Sequence, residues 1–183
     1  IEQDQMISKD RLIQDLRTLG LASDMDVMVH SSLTSIGDVA GGAATMIDAL
    51  LEVIGPGGTL LMPSFNHRAA QVFNPMTTPT TNGTIPDVMW RRSDAVRSLH
   101  PTHCVAAIGP NAAHYCRDDH VDVGIWAPES PIGRLVQGDG YLLALGVTHF
   151  TTTAFHVAEM SIPCGCIAPF GNTDRIVTSD GPV

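Results

Sequence analysis

The chain is poor in basic residues. Its 183 residues include 10 Lys and Arg against 19 Asp and Glu, which gives a formal net charge of −9. Nucleic-acid-binding proteins depend on clustered positive charge, so this balance excludes a polyanionic partner such as DNA or RNA. An acidic surface attracts cationic ligands instead, although the same charge also serves solubility alone.

Long apolar stretches are absent as well. No run approaches the roughly 20 apolar residues that cross a bilayer. The first residues, Ile-Glu-Gln-Asp-Gln-Met, lack the basic and apolar segments of a signal peptide. We therefore expect a soluble, cytoplasmic protein with no membrane partner.

Cysteine is scarce, and its spacing fits no common zinc pattern. The sequence holds four, Cys104, Cys116, Cys164 and Cys166. The stretch His100-Pro-Thr-His103-Cys104 is compatible with two alternatives, a metal site or a Cys–His nucleophile. Pro101 opposes a helix that would align the two histidines, and Cys104 begins an apolar strand where thiols are usually inert. We expect reduced, structural cysteines and no metal.

Three nucleotide and hydrolase signatures are also missing. There is no G-x-x-x-x-G-K-[ST], no G-x-G-x-x-G and no G-x-S-x-G. These absences exclude a P-loop and argue against a Rossmann dinucleotide site and an α/β-hydrolase nucleophile elbow.

What is present is a strand–loop–helix–strand unit over residues 26–63. An apolar strand around Val27–Val29 leads into His30-Ser31-Ser32, a Gly-rich loop and a helix over 43–54. A glycine-rich stop precedes a second strand at Thr59–Pro63. The fold class predicted is α/β, with a single-domain mixed, largely parallel sheet flanked by helices and with long substrate loops, such as the one from His67 to Pro86.

Three clusters of polar residues lie beside predicted strands. They are His30-Ser31-Ser32, His100 to His103, and His149 through His156 to Glu159. Loops at the carboxyl ends of parallel strands form ligand sites in α/β sheets, so the three clusters are expected to converge. His156 and Glu159 share a helix face at a spacing of three, which makes a general base oriented by a carboxylate. The alternative is an ion pair on a solvated helix face.

Seven ordered blocks resemble the aminoglycoside 3-N-acetyltransferases of the antibiotic acetyltransferase family. The resemblance covers roughly residues 7–160. The blocks are Val29-His-Ser-Ser-Leu33, Gly41-Gly-Ala-x-Thr45, Gly58-Thr-Leu-Leu-Met-Pro63, Arg97-Ser-Leu-His-Pro-Thr-His103, Ser130-Pro-Ile-Gly-Arg-Leu135, Leu145-Gly-Val-x-His149 and His156-Val-Ala-Glu159.

The resemblance implies acetyl transfer from acetyl-coenzyme A to the 3-amino group of a 2-deoxystreptamine aminoglycoside, by direct attack in a ternary complex without a metal. It assigns His156 as general base, Glu159 as the group that orients it or contacts the cationic sugar, and His30 as a neighbour of the thioester. The implied path of coenzyme A is lined by His30, Ser31, Ser32, Leu33, Thr34, Ser35, Thr102 and His103. His149, Glu159 and Asp122 are implied on the substrate side.

Two departures from the family pattern are visible. Family members are longer, so we expect residues 1–183 to form a single acetyltransferase domain that lacks part of the C-terminal region. Cys104 occupies a position where a small residue such as Ser is common in the family, and we expect this difference to affect packing only. The sequence leaves open a Cys104–His103 hydrolase, an acetyltransferase for another aminosugar, a non-catalytic coenzyme A binding relative, and a homodimer.

Overall fold

The computed structural model describes residues 6–66, 73–117 and 124–162, together with the backbone of a short strand pair near the C-terminus. The strands are β1 Asp26–Ser31, β2 Thr59–Pro63, β3 Val96–Arg97, β4 Val105–Ile108, β5 Tyr141–Leu145, β6 Val177–Thr178 and β7 Gly181–Pro182. The helices are α1 Lys9–Thr18, α2 Leu33–Ile36, α3 Gly42–Ile54, α4 Thr84–Trp90, α5 Ala112–Tyr115, α6 Pro131–Gln137 and α7 Ala154–Ser161, with a 3₁₀ turn at His149–Thr151.

The central sheet has five strands in the order β3-β4-β2-β1-β5. β1 runs parallel to β2 and to β5, whereas β4 runs antiparallel to both β2 and β3. The predicted α/β class with a mixed sheet flanked by helices is confirmed. Because β1, β2 and β5 are parallel, their carboxyl ends meet at one edge, where ligands bind in such sheets.

Helices cover both faces of β1, which explains why its sequence is continuously apolar rather than alternating. Val27 and Val29 point into a core shared with α1, α3 and α4. Met28 points into a second core on the opposite face, which includes Trp126 and Ile132. The sheet is therefore buried at the strand from which His30 projects.

In helix α1 the structure confirms the predicted start but differs from the prediction at the C-terminal end. The sequence predicts a helix from Ile7 to Leu21 with Ser8 as its cap. Ser8 does cap the helix, by accepting a hydrogen bond from Arg11 N at 3.3 Å, and Leu12 and Leu16 are buried. The helical spacing also predicts that Leu19 faces inward, but the helix ends at Thr18 and Leu19 is 66% exposed. The chain turns at Gly20, and Leu21 takes the buried position.

The Arg97 guanidinium helps to anchor the described part of the long loop before α4. Arg97 Nη1 donates to the carbonyl oxygens of Pro75 at 3.1 Å and Thr78 at 2.6 Å, and Nη2 donates to Ser64 O at 3.0 Å. Its Cζ lies 4.3 Å from the centre of the Trp90 ring. The irregular stretch predicted from 67 to 86 is thus tied to β2 and β3 where it is described, and α4 begins earlier than expected, at Thr84.

Within the described ranges, no helix combines the length and the apolar composition that crossing a bilayer requires.

Candidate active site

His30 lies at the carboxyl end of β1 and is only 9% exposed. Its Nε2 is 3.4 Å from Thr153 Oγ1, at the start of α7. A cavity of about 90 Å³ opens beside it, lined by Val29, His30, Ser31, Pro63, Asn82, Pro86, Val147 and Thr151. Burial disfavours the charged imidazolium and lowers the pKa of His30 to about 4, so the imidazole is neutral at pH 7.

The serines after His30 follow β1 into a one-turn helix. Ser31 Oγ is buried and has no hydrogen-bond partner among the described residues. Ser32 caps α2, because its Oγ accepts from Ser35 N at 3.4 Å and lies 2.9 Å from Ser35 Oγ. Thr34 and Ser35 are exposed, and Leu33 is half-buried. This predicted path therefore presents one buried hydroxyl in the cavity and an exposed turn at its rim.

The pair on α7 has the geometry expected of an oriented base. His156 Nδ1 is 2.7 Å from Glu159 Oε2, and the two side chains are 46% and 43% exposed. Thr153, one helical turn before His156, is the residue that reaches His30. Because residues three apart lie on the same helix face, α7 brings His30 and His156 to one side of the molecule.

A row of rings connects His156 to the end of β2. The centre of the Trp126 ring is 4.8 Å from that of His156 and 5.3 Å from that of His103, whose ring lies 4.8 Å from Phe65. Thr102 Oγ1 is 2.8 Å from His103 Nδ1. Thr102 and His103 are thus linked to His156 through the Trp126 ring, and Trp126 is not among the residues that the sequence predicts there.

The Ser130-Pro-Ile-Gly-Arg block positions the segment that carries Trp126. Ser130 Oγ accepts from Gly133 N at 3.0 Å and so caps α6. Arg134 Nη1 donates to the carbonyl oxygens of His114 and Tyr115 at 3.2 and 3.1 Å. A Cβ on Gly133 would overlap with Ala127 O, so only glycine permits this close approach. The contacts described for this block therefore hold α6 and the segment before it in place.

The remaining predicted residues are placed less centrally. The His149 ring stacks on the exposed Phe150 at 4.3 Å, and Thr151 of the same 3₁₀ turn lines the His30 cavity. Asp122 lies outside the described residues. Within the described segments no group of three metal-binding side chains occurs.

Cys104 has the surroundings of a structural thiol. It is fully buried, and Sγ donates to Ser64 O at 2.6 Å. Burial is the largest influence on its pKa and raises it, which disfavours the thiolate needed for attack. The hydrolase alternative therefore has no reactive nucleophile at this position.

The neutral state of His30 predicts a pH-dependent stability. Below pH 6.5 the unfolded chain protonates this imidazole while the native protein, with a pKa of about 4, does not. Stability therefore falls as pH drops from 6.5 to 4, by about 3 kcal/mol from this group. Urea unfolding measured at several pH values should show that, between pH 6.5 and 4, the free energy of unfolding of the wild type falls by this amount more than that of His30→Gln. Parallel curves for the two proteins would contradict the assignment.

The sequence is similar to those of known proteins. A sequence model of the family described as aminoglycoside 3-N-acetyltransferase matches residues 28–176. Aminoglycoside N(3)-acetyltransferase IV from a Salmonella species is 37% identical over 161 residues, covering 86% of this chain and 61% of the relative. Aminoglycoside N(3)-acetyltransferase VIII of Streptomyces fradiae is 33% identical, covering 84% and 60%. The chain thus spans about three fifths of the length of these curated relatives.

Solved structures give the same likeness. A histidine-to-alanine mutant of AAC(3)-IVa in complex with a gentamicin has a TM-score of 0.89 and 32% identity, covering 100% of this chain and 70% of that one. AAC-IIIb in a binary complex with CoASH has a TM-score of 0.89 and 25% identity, covering 98% and 74%.

Proposed function

This chain belongs to the aminoglycoside 3-N-acetyltransferase family, and from that premise we propose that it transfers an acetyl group from acetyl-coenzyme A to the 3-amino group of a 2-deoxystreptamine aminoglycoside. The single observation that carries the proposal is the His156–Glu159 pair, with Nδ1 and Oε2 2.7 Å apart on a half-exposed helix face.

The pair supplies what amine acylation needs. An amino group that is protonated in water has no free lone pair, so a base must remove a proton from its nitrogen before or during attack. In the proposed tautomer, Nδ1–H of His156 donates a hydrogen bond to Glu159 Oε2, which leaves Nε2 with a free lone pair to act as the base. General-base catalysis of this kind contributes a factor of about 10²–10⁴.

The His30 cavity is the proposed site for the reactive end of the acyl donor. Acetyl-coenzyme A supplies an acetyl group activated as a thioester. At about 90 Å³ the cavity is far smaller than the roughly 300–1,000 Å³ of whole-ligand pockets, so it suits only a small terminal group. The Ser31 hydroxyl, buried without a described partner, is a donor available there. Ser32, Leu33, Thr34 and Ser35 are proposed to line the approach, and Thr102 and His103 are proposed to add to the same wall.

The proposed acceptor is a cation, which agrees with the charge of the protein. The chain has a formal charge of −9, and Glu159 presents its carboxylate beside the base. We propose that Asp122 and His149 contribute further contacts to the sugar. A polycationic acceptor would be attracted by this potential, and its attraction would weaken as salt is raised.

The test is a thiol-release assay with acetyl-coenzyme A and a panel of amines. We expect thiol release with gentamicin, apramycin or sisomicin, and none with glucosamine, which lacks the deoxystreptamine ring. Mass spectrometry and NMR of the product would locate the acetyl group on the 3-amino nitrogen. Release only with glucosamine would support the aminosugar alternative. Coenzyme A binding without release by any amine would support a non-catalytic relative.

A further inference from the structure

We propose that Trp126 is a positioning residue for His156, an inference that rests on the proposed function. The indole is 6% exposed, and its ring centre lies 4.8 Å from that of His156 with an angle of 46° between the planes. Trp126 belongs to the buried core that also contains Met28 and Ile132, and its ring therefore links the half-exposed His156 to the interior of the protein.

The base needs such a support because the hydrogen bond to Glu159 fixes only one corner of the ring. Glu159 holds Nδ1 at 2.7 Å, and that contact alone leaves the ring free to swing about the held nitrogen. An aromatic face against the imidazole removes this freedom, because offset and tilted ring pairs are favoured at separations of this size. With both contacts in place, Nε2 points in one direction.

Trp126 is itself held firmly. On its other side it meets the His103 ring edge-on, with centres 5.3 Å apart and planes at 76°. His103 in turn packs on Phe65, whose backbone N donates to Asn82 Oδ1 at 2.6 Å. The His156 ring is thus supported by a row of rings that ends at Phe65, whose backbone is hydrogen-bonded after β2. A residue on a rigid support keeps its reactive atom within the tolerance that catalysis demands.

The indole N–H sets Trp126 apart from a simple core residue. Nε1 is buried and has no hydrogen-bond partner among the described residues. A buried donor without a partner carries a desolvation cost, whereas a leucine or phenylalanine would fill this space without it. The presence of an indole here therefore fits a role that depends on the size and shape of its ring face.

The experiment compares Trp126→Leu and Trp126→Phe with the matched control Trp90→Phe. Trp90 is the other tryptophan of the chain and is similarly buried, but it packs between Arg91 and Arg97. We expect Trp126→Leu to lower kcat about tenfold or more with KM for acetyl-coenzyme A nearly unchanged, since misalignment affects the reacting geometry. Trp126→Phe keeps an aromatic face and should recover most of the rate. Trp90→Phe should retain kcat per folded molecule.

A second measurement does not depend on turnover. The ring protons of His156, identified in NMR spectra by their loss in His156→Ala, should be displaced by the indole ring current in the wild type. They should move toward the positions of a free histidine in Trp126→Leu. His156 signals that stay in place in Trp126→Leu, or an unchanged kcat in that folded variant, would overturn the proposal. If the wild type acetylates no amine, the proposed function fails while the NMR comparison still decides whether Trp126 positions His156.

Discussion

His156→Ala is expected to reduce turnover by at least about 10²-fold while coenzyme A binding stays nearly intact. The side chain is half-exposed and contributes little to the core, so the variant should fold normally. The substitution removes the imidazole proposed to take the proton from the attacking amine. Steady-state thiol release and calorimetric titration of coenzyme A would measure the two quantities separately.

His114→Ala is the matched control, because His114 is also an exposed helical histidine and lies on a different helix, α5. Glu159→Gln should give a smaller loss, about tenfold, since the amide can still accept a hydrogen bond from His156 but carries no charge. A turnover within about threefold of wild type for His156→Ala would remove the proposed base. Loss of coenzyme A binding together with turnover would instead indicate a role in binding.

Gly133→Ala is expected to destabilise the protein by about 3 kcal/mol, at the upper end of what overpacking costs. The added Cβ would overlap with Ala127 O and lie 2.7 Å from Pro128 O, both of them backbone atoms that cannot rotate away. The clash pushes α6 and the 127–128 segment apart, and Trp126 precedes that segment directly. Chemical denaturation followed by Trp fluorescence would report the loss of stability and the local change together.

Gly138→Ala is the control for this substitution. Gly138 ends the same helix at a φ of −87°, which any residue adopts, and its nearest contact to an added Cβ is Arg134 O at 3.2 Å. We expect a change below about 1 kcal/mol. Equal effects of the two substitutions would show that the close approach at Gly133 is not the cause.

The elements with strong local patterns can be predicted from the sequence. The apolar pattern predicts the second strand at Thr59–Pro63, where the structure has it, and the helix expected over 43–54 spans Gly42–Ile54. These segments combine apolar runs of clear period with glycine-rich stops, so their limits are set by neighbouring residues. The joint location of His30, His156 and Glu159 also follows from their places after strands and on one helix.

The pairing of strands and the ring contacts cannot be predicted in this way. Nothing local in Val105–Ile108 shows that it runs antiparallel to β2, because strand direction is decided by the route of the connecting chain. β5 has the strongest strand pattern, yet it lies at an edge of the sheet, with Tyr141 and Leu142 exposed. Trp126 stands out in the sequence only as an aromatic residue in an acidic loop. Its contacts come from His103 and His156, which are distant along the chain, so no spacing rule indicates them.

The depth of His30 has an electrostatic consequence for the acceptor. A charged imidazolium at the end of β1 would oppose a polycationic sugar by about 1 kcal/mol or more at contact distance, even in water. Because burial keeps this ring uncharged, the electrostatic potential at the entrance of the site is set by Glu159 and the acidic surface. If the proposed polycationic sugar is the acceptor, its attraction to the site therefore depends on how deeply one histidine lies in the sheet, as well as on the number of carboxylates.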